Sequence, residues 1–207
     1  ASYGIHVSGR EKNTTNKYDG TLIIKNSEIE LDYLINKGTM PLDNSTLTVK
    51  NGFSVGGRPA SETESSQDAT ATIALTNGSK VVVNNHNGMG LGYEAIGVMD
   101  VDATSTFETT QSFLVTAKGT MNIAGKAIVA KTLTNNGAIV LTDVAATLTS
   151  SECGNVTTNV ADHKVAYADG AYKVVAKNYV ASIEEDKFES LAEALAAAQA
   201  GDEITLV

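Results

Sequence analysis

The stretch TLTNNGAIVL, residues 132–141, contains two short runs of β-prone residues that meet at an Asn-Asn-Gly corner. In these runs, apolar residues such as Leu133, Ile139 and Leu141 alternate with other residues, which predicts strands with one buried face. Asn and Gly favour tight corners because they tolerate left-handed backbone conformations. We therefore predict a strand, a corner and a second strand over this stretch.

The same unit recurs along the chain. Its copies are TLIIKNSEIEL (21–31), TLTVKNGFSV (46–55), TIALTNGSKVVV (72–83), FLVTAKGTMNI (113–123), TLTSSECGNVTT (147–158), VAYADGAYKVV (165–175) and a weaker VMDVDATSTF (98–107). The corners lie 25 or 26 residues apart from Ser27 to Ala103, and 16–18 residues apart from there to Gly170. Repetition of this kind is typical of solenoids, in which each repeat packs on its neighbours.

A solenoid explains how these units bury their apolar residues. One unit cannot bury its apolar face alone, and stacking buries residues such as Ile24 and Leu31. We predict an all-β fold: a parallel β-helix over residues 1–176, with long coils to about residue 103 and shorter coils after it. The long coils would carry surface loops such as 56–70. A β-sandwich is the alternative, since strands between turn signals fit it too, but the recurrent spacing favours the β-helix.

The closing stretch, FESLAEALAAAQAGDEITLV (188–207), changes to a helical pattern. Ser190 with Glu193 three residues later predicts a capping box, and Gly201 predicts the helix stop. A strand containing Ile204 then begins. We predict that residues 177–207 form a linker, a capping helix and the first strand of a following repeat, and that the chain belongs to a longer parent.

This closing stretch resembles the entry cap of the pectate-lyase-like superfamily of right-handed β-helices. The resemblance rests on Phe188 and on the pattern SL.EAL.AA followed by GD.I.L, which residues 190–206 match. With the repeats, it resembles large adhesin-like surface proteins of gut bacteria. The resemblance implies a right-handed β-helix, an extracellular location (secreted or attached to the cell wall), further repeats in the parent chain, and host or bacterial surface glycans or glycoproteins as partners.

Composition and charge exclude several classes of protein. The net charge of −9 disfavours binding to nucleic acid or to a bare anionic membrane. The single cysteine, Cys153, permits no internal disulfide. No apolar run approaches the length of a membrane-spanning helix, so we expect no membrane insertion in this segment.

Few residues suggest chemistry. Asp100 and Asp102 in MDVDA are the candidate metal ligands, because alternation places both on one face of a strand and Ca²⁺ prefers oxygen ligands. However, no Lys or Arg lies between residues 81 and 117 to serve as a base. His86 and the Asp162-His163 pair are interpreted as turn residues. We predict no catalytic site and no required cofactor, with a calcium-assisted, lyase-like or carbohydrate-binding β-helix as the alternative.

Binding of sugars usually uses exposed aromatic rings. Tyr18, Tyr33 and Tyr93, beside the loops of the longer coils, are the candidate ligand-binding residues. The corner asparagines Asn26, Asn51, Asn77 and Asn136 are predicted either to stack as a hydrogen-bonded ladder or to act only as turn residues. The resulting hypothesis is a non-enzymatic adhesin or stalk module of a secreted bacterial repeat protein.

Overall fold

The computed structural model describes residues 4–7, 20–57, 70–84 and 90–207. Tyr18, His86 and most of the predicted loop 56–70 lie outside these residues. The strands are β1 (Gly4–Val7), β2 (Ile24–Lys25), β3 (Glu28–Asn36), β4 (Thr39–Asp43), β5 (Thr46–Val55), β6 (Thr70–Thr76), β7 (Lys80–Val83), β8 (Gly90–Leu91), β9 (Ile96–Val101), β10 (Thr106–Thr109), β11 (Phe113–Val115), β12 (Gly119–Ile123), β13 (Lys126–Val129), β14 (Leu133–Asn135), β15 (Ala138–Leu141), β16 (Thr147–Thr149), β17 (Val156–Thr158), β18 (His163–Ala168), β19 (Ala171–Ala176), β20 (Ala181–Ile183), β21 (Asp186–Phe188) and β22 (Ile204–Leu206); the helix is α1 (Leu191–Ala197).

The fold is mostly β, with two large sheets whose strands are mainly parallel. One sheet has seven strands in the order β17-β15-β12-β9-β6-β4-β2, all parallel. The other has twelve strands and divides into two arms at β5: its first half pairs with β7 and its second half with β8. The chain runs alternately through the seven-stranded sheet and the arms of the larger sheet. We call one strand of the seven-stranded sheet, together with the arm strands that follow it, a pass. Each strand pairs with its counterpart in the next pass.

The distance in sequence between paired passes varies along the chain. Side-chain hydrogen bonds between passes join residues 18 apart at Asn26–Asn44, 34 apart at Asp43–Asn77, 25 apart at Asn77–Asp102 and 17 apart at Leu141–Thr158. The separation of 18 residues between Asn26 and Asn44 is therefore shorter than the predicted corner spacing of 25 or 26 residues. The separation of 34 residues between Asp43 and Asn77 is longer than that spacing. One reason is that Asn51-Gly52, predicted as a corner, lies within the continuous strand β5.

The hydrophobic core lies between the sheets and follows the alternation of each strand. In β12, for example, Met121 and Ile123 are fully buried while Thr120 and Asn122 face outward. Ile24 and Leu31 are buried as predicted. Three phenylalanine rings contact one another in this core, with centroids 5.0–6.4 Å apart: Phe53 on β5, and Phe107 and Phe113 on β10 and β11 of a later pass. Burying each ring stabilises the fold by about 1.5–3 kcal/mol.

An antiparallel hairpin, β18–β19, packs on the last parallel strand of the larger sheet, β16. We predicted this segment as another copy of the repeating unit, and the structure differs. Asp169 and Gly170 both have positive φ, 52° and 74°, which gives a tight turn that reverses the chain. Tyr172 of the hairpin hydrogen-bonds through its hydroxyl to the backbone of Cys153. The hairpin thus covers the edge of the larger sheet at β16.

The C-terminal unit, residues 180–207, consists of a small antiparallel sheet in the order β21-β20-β22 and helix α1. The predicted capping box is confirmed: Ser190 Oγ accepts from Glu193 N, and Glu193 Oε2 accepts from Ser190 N, both at 3.2 Å. The helix ends at Ala197 with Ala198 as its C-cap, three residues before the predicted stop at Gly201. Among the described residues, no helix has the length and apolar character needed to span a membrane.

Candidate functional site: the polar corner

The polar corner is the edge where the chain leaves the seven-stranded sheet and enters the larger one. It comprises Asn26, Asp43, Asn44, Asn77, Asp102, Thr104 and the serines between them. Asn26, Asn44 and Asn77 have φ of 48°, 47° and 55°, a left-handed conformation that Asn tolerates better than most residues. Each asparagine therefore turns the chain at the corner and leaves its amide free to face neighbouring passes.

The amides link one pass to the next. Asn44 Nδ2 donates to Asn26 Oδ1 at 2.8 Å, and Asn77 Nδ2 donates to Asp43 Oδ1 at 2.7 Å. Of the predicted ladder residues, Asn26 and Asn77 belong to this array. Asn51 lies on β5 instead, 3.4 Å from Asp32 Oδ1.

Sequence reasoning missed one asparagine of the array, and Asn51 and Asn136, two of the four predicted corner residues, are not part of it. Asn44 was missed, although the Asp-Asn-Ser run before β5 is a turn signal that could have identified it. Asn136 is not among the residues with positive φ, and its backbone N–H donates to Val115 O at 2.8 Å.

A row of serines lies beneath the asparagines. Ser27 N donates to Ser45 Oγ at 3.1 Å, and Ser45 N donates to Ser79 Oγ at 3.2 Å. Ser79 Oγ in turn donates to Thr76 O at 2.6 Å. Ser45 and Ser79 are buried, so these hydroxyls satisfy backbone groups that have no strand partner at the corner. Sequence reasoning did not find this row.

Asp102 is the most heavily hydrogen-bonded carboxylate of the corner. Its Oδ2 accepts from Asn77 N at 2.8 Å, and its Oδ1 accepts from Thr104 N and Thr104 Oγ1, both at 2.9 Å. Partial burial acts to raise its pKa. The nearby Ser105 hydroxyl and the bonds from Asn77 and Thr104 lower it and outweigh burial, so the pKa of Asp102 lies below its usual value.

Asp100, the other candidate metal ligand, lies on β9. Its Oδ1 accepts from Asn122 Nδ2 at 2.7 Å, on the paired strand β12. Both carboxylates therefore already join neighbouring passes. Among the residues that the structure describes, no group of three or more His, Cys, Asp or Glu side chains is placed to hold a metal ion. Calcium binding at Asp100 and Asp102 stays a prediction.

A shallow depression of about 310 Å³ opens at one end of the polar corner. Its lining is polar: Asn26, Ser27, Glu28, Asn44, Ser45, Thr46 and Gly78. Amide, hydroxyl and carboxylate groups can together donate and accept hydrogen bonds from a ligand rich in hydroxyl groups. The depression is therefore the candidate ligand-binding part of the corner.

The candidate tyrosines occupy different places. Tyr33 is 37% exposed on β3, and its ring covers Gly4, where an added Cβ would lie 2.0 Å from the ring. Tyr93 lies between β8 and β9 and is partly buried, which raises its pKa. Tyr18 lies outside the described residues. Of the two candidate tyrosines that the structure describes, Tyr33 has the more exposed side chain.

A buried ion pair that sequence reasoning missed joins two passes elsewhere. Lys37 Nζ lies 2.7 Å from Glu94 Oε2, and the two side chains are only 12% and 7% exposed. Glu94 packs against Gly57, where an added Cβ would lie 2.5 Å from its carboxylate. The pair supports the place where the chain leaves β5, and no local sequence pattern links residues so far apart.

Comparisons of the chain with known protein families, with curated proteins and with solved structures found no match.

Proposed function

We propose that this chain is a right-handed parallel β-helix that serves as a non-enzymatic adhesin or stalk module of a secreted or cell-wall-attached bacterial repeat protein. The observation that carries the proposal is the in-register stacking of passes: Thr72 pairs with Val98, Val98 with Thr120, and Thr120 with Ala138. A stack of this kind is long in one direction and stiff, because each pass is hydrogen-bonded to the next.

The helical path is supported by the arrangement of the sheets. The seven-stranded sheet and the two arms of the larger sheet would form three faces around one core, and the chain visits them in turn. Right-handed connections between parallel strands predominate in proteins, which supports a right-handed path.

A non-enzymatic role is supported by the state of the carboxylates. Asp100 and Asp102 accept hydrogen bonds from Asn122, Asn77 and Thr104, so one oxygen of Asp100 and both oxygens of Asp102 already make structural contacts. Acid–base chemistry on polysaccharides needs carboxylates that can reach the substrate. We therefore favour adhesion over the calcium-assisted, carbohydrate-degrading alternative.

Glycans or glycoproteins are the proposed partners. The depression at the polar corner supplies amide and hydroxyl groups, and Tyr33 supplies an exposed ring. Hydroxyl-rich ligands suit both kinds of group. The net charge of −9 further argues against nucleic acid as the partner.

A modular parent chain is supported by the surface of the C-terminal unit. It exposes apolar side chains on α1 at Leu191 and Leu195, which are 44% and 61% exposed. Exposed apolar groups of this kind are typical of surfaces that another element covers. We propose that residues 177–207 link to and cap a following repeat.

A glycan array tests the proposal. The chain is applied to host-type and bacterial surface glycans and glycoproteins, with and without Ca²⁺, alongside a polyuronate cleavage assay that detects unsaturated product. We expect binding to a subset of glycans without cleavage and without a need for Ca²⁺. Cleavage product would overturn the non-enzymatic proposal, and absence of any binding would remove the adhesive role.

Matched variants locate the binding surface. Asn26→Gly and Asn44→Gly remove the amides of the depression, while glycine retains the positive φ that these positions require. Asn155→Gly makes the same change at another residue with positive φ, 58°, away from the depression. Binding should fall for the first two variants and persist for the third.

A further inference from the structure

The C-terminal unit has its own small core. Ala181, Ile183 and Ala194 are buried within it, at 0%, 9% and 0% exposure. They are not part of the contiguous core that runs between the large sheets and reaches Tyr172 and Val174 of the hairpin. The unit and the stacked passes are therefore stabilised by separate sets of apolar contacts.

Polar contacts at the surface join the unit to the hairpin. Lys164 of β18 forms an ion pair with Glu189, just before α1, and these side chains are 50% and 28% exposed. In the connecting segment, Tyr179 Oη donates to Asp162 Oδ1 at 2.8 Å, and Lys177 N donates to Asp162 O at 2.9 Å.

The connecting segment, residues 177–179, has no regular secondary structure. Exposed ion pairs and hydrogen bonds contribute little to stability, and salt weakens them further. A unit with its own core, held by such contacts and joined by a short irregular segment, can separate from the hairpin without either part unfolding.

We propose that residues 177–179 are a hinge, and that the Lys164–Glu189 ion pair and the Tyr179–Asp162 hydrogen bond form a salt-sensitive latch that holds the C-terminal unit against the hairpin. When the latch opens, the unit changes its direction relative to the stacked passes while its own sheet and helix persist. This inference does not depend on the ligand or on the adhesive role.

Distances between two spin labels test the latch in the full chain. Cys153→Ser removes the native thiol, and Thr157→Cys and Glu203→Cys place labels at exposed positions on the two parts. At low salt we expect one dominant distance. At about 1 M salt, where screening is strong, we expect a second, longer population.

Charge variants separate the latch from general destabilisation. Lys164→Glu should lower the ratio of docked to open forms about two- to fivefold, the range expected for one exposed ion pair, and Lys164→Glu with Glu189→Lys should restore it. Lys50→Glu breaks another exposed ion pair, Lys50–Glu30, and should leave the distances unchanged. Circular dichroism checks that each variant is folded. One unchanged distance in all variants and salts, or a change that the charge swap does not reverse, would overturn the proposal.

Discussion

Asp102 shows how a single residue can serve a structural purpose that its sequence context suggested was chemical. The pattern MDVDA placed it beside Asp100 as a candidate metal ligand. In the structure it accepts hydrogen bonds from Asn77 of one pass and Thr104 of its own. A carboxylate with several donors around it stabilises the turn of the chain, much as an Asx turn does.

Removing this carboxylate should destabilise the fold. Asp102→Ala leaves the N–H groups of Asn77 and Thr104 without their acceptor, and we expect the free energy of unfolding to fall by about 0.5–1.5 kcal/mol, because these groups are exposed and water replaces part of the lost bonds. Urea denaturation at neutral pH measures the change. Asp100→Ala is the control and should cost less, because Asp100 accepts one side-chain bond, from Asn122. Equal losses, or a loss only when Ca²⁺ is present, would contradict the structural role.

The lowered pKa of Asp102 predicts a dependence on pH. A carboxyl whose pKa is lower in the folded state stabilises the fold above its unfolded pKa, and this contribution disappears as pH falls through the folded pKa. The stability difference between the wild type and Asp102→Asn should therefore be full at pH 7 and shrink below about pH 4. Urea denaturation of both proteins across this range measures it, and a difference that is constant with pH would disprove the linkage.

Tyr172 provides a second titration. Burial, together with the side chain of Cys153 and the charge of Glu152, raises its pKa to about 12 and outweighs the backbone bond at Cys153, which acts to lower it. A raised folded pKa means that its contribution to stability is present below its unfolded value and lost as pH rises through the folded value. In an alkaline absorbance titration of tyrosinate, Tyr172→Phe should remove a component near pH 12, whereas Tyr93→Phe should leave that component in place. A titration unchanged by Tyr172→Phe would show that the hydroxyl is not held as described.

Individual strands and the start of the helix were predicted well from local sequence patterns, whereas the pairing partner and direction of a strand were not. Alternation predicted the two strands around residues 132–141, and the Ser190–Glu193 pair predicted the start of α1, because both features depend on neighbours in sequence. The antiparallel hairpin β18–β19 was not predicted. Its strands alternate like those of the parallel units, and only the turn at Asp169–Gly170 decides their direction.

That turn can be tested with a matched pair of glycines. An added Cβ meets no atom within 4 Å at either Gly170 or Gly154, but Gly170 has φ of 74°. Gly170→Ala should therefore lower the free energy of unfolding by about 1–2 kcal/mol through backbone strain alone. Gly154→Ala should cost nothing or stabilise slightly. Thermal or urea denaturation compares them, and equal effects would argue against a left-handed turn residue at Gly170.

For the whole molecule, the repeat predicted that passes stack but not where each pass begins and ends. The Phe53, Phe107 and Phe113 cluster and the Lys37–Glu94 pair depend on which passes become neighbours. The long step between Asp43 and Asn77 reflects the number of residues that the sequence has between β5 and β6. The polar corner was predicted in part, since Asn26 and Asn77 are recognisable turn residues, while the serine row depends on the register between passes.

The pairing of strands also predicts distances across the seven-stranded sheet. Pro41, Ala74, Asp100, Asn122, Val140 and Thr157 are successive partners on the seven-stranded sheet. Neighbouring strands are about 4.8 Å apart. Pro41 and Ala74 are 33 residues apart in sequence but lie on neighbouring strands. The distance from Thr157 to Pro41 should therefore exceed the distance from Thr157 to Ala74 by only one strand spacing.

The most direct test of the stacked arrangement measures these distances. In a Cys153→Ser background, a spin label at Thr157 is paired in turn with labels at Asn122, Ala74 and Pro41. The account predicts backbone separations of about 10, 19 and 24 Å, one strand spacing for each of the two, four and five strands crossed. Separations that do not follow this order, or a distance to Pro41 shorter than the distance to Asn122, would contradict the stacked parallel fold.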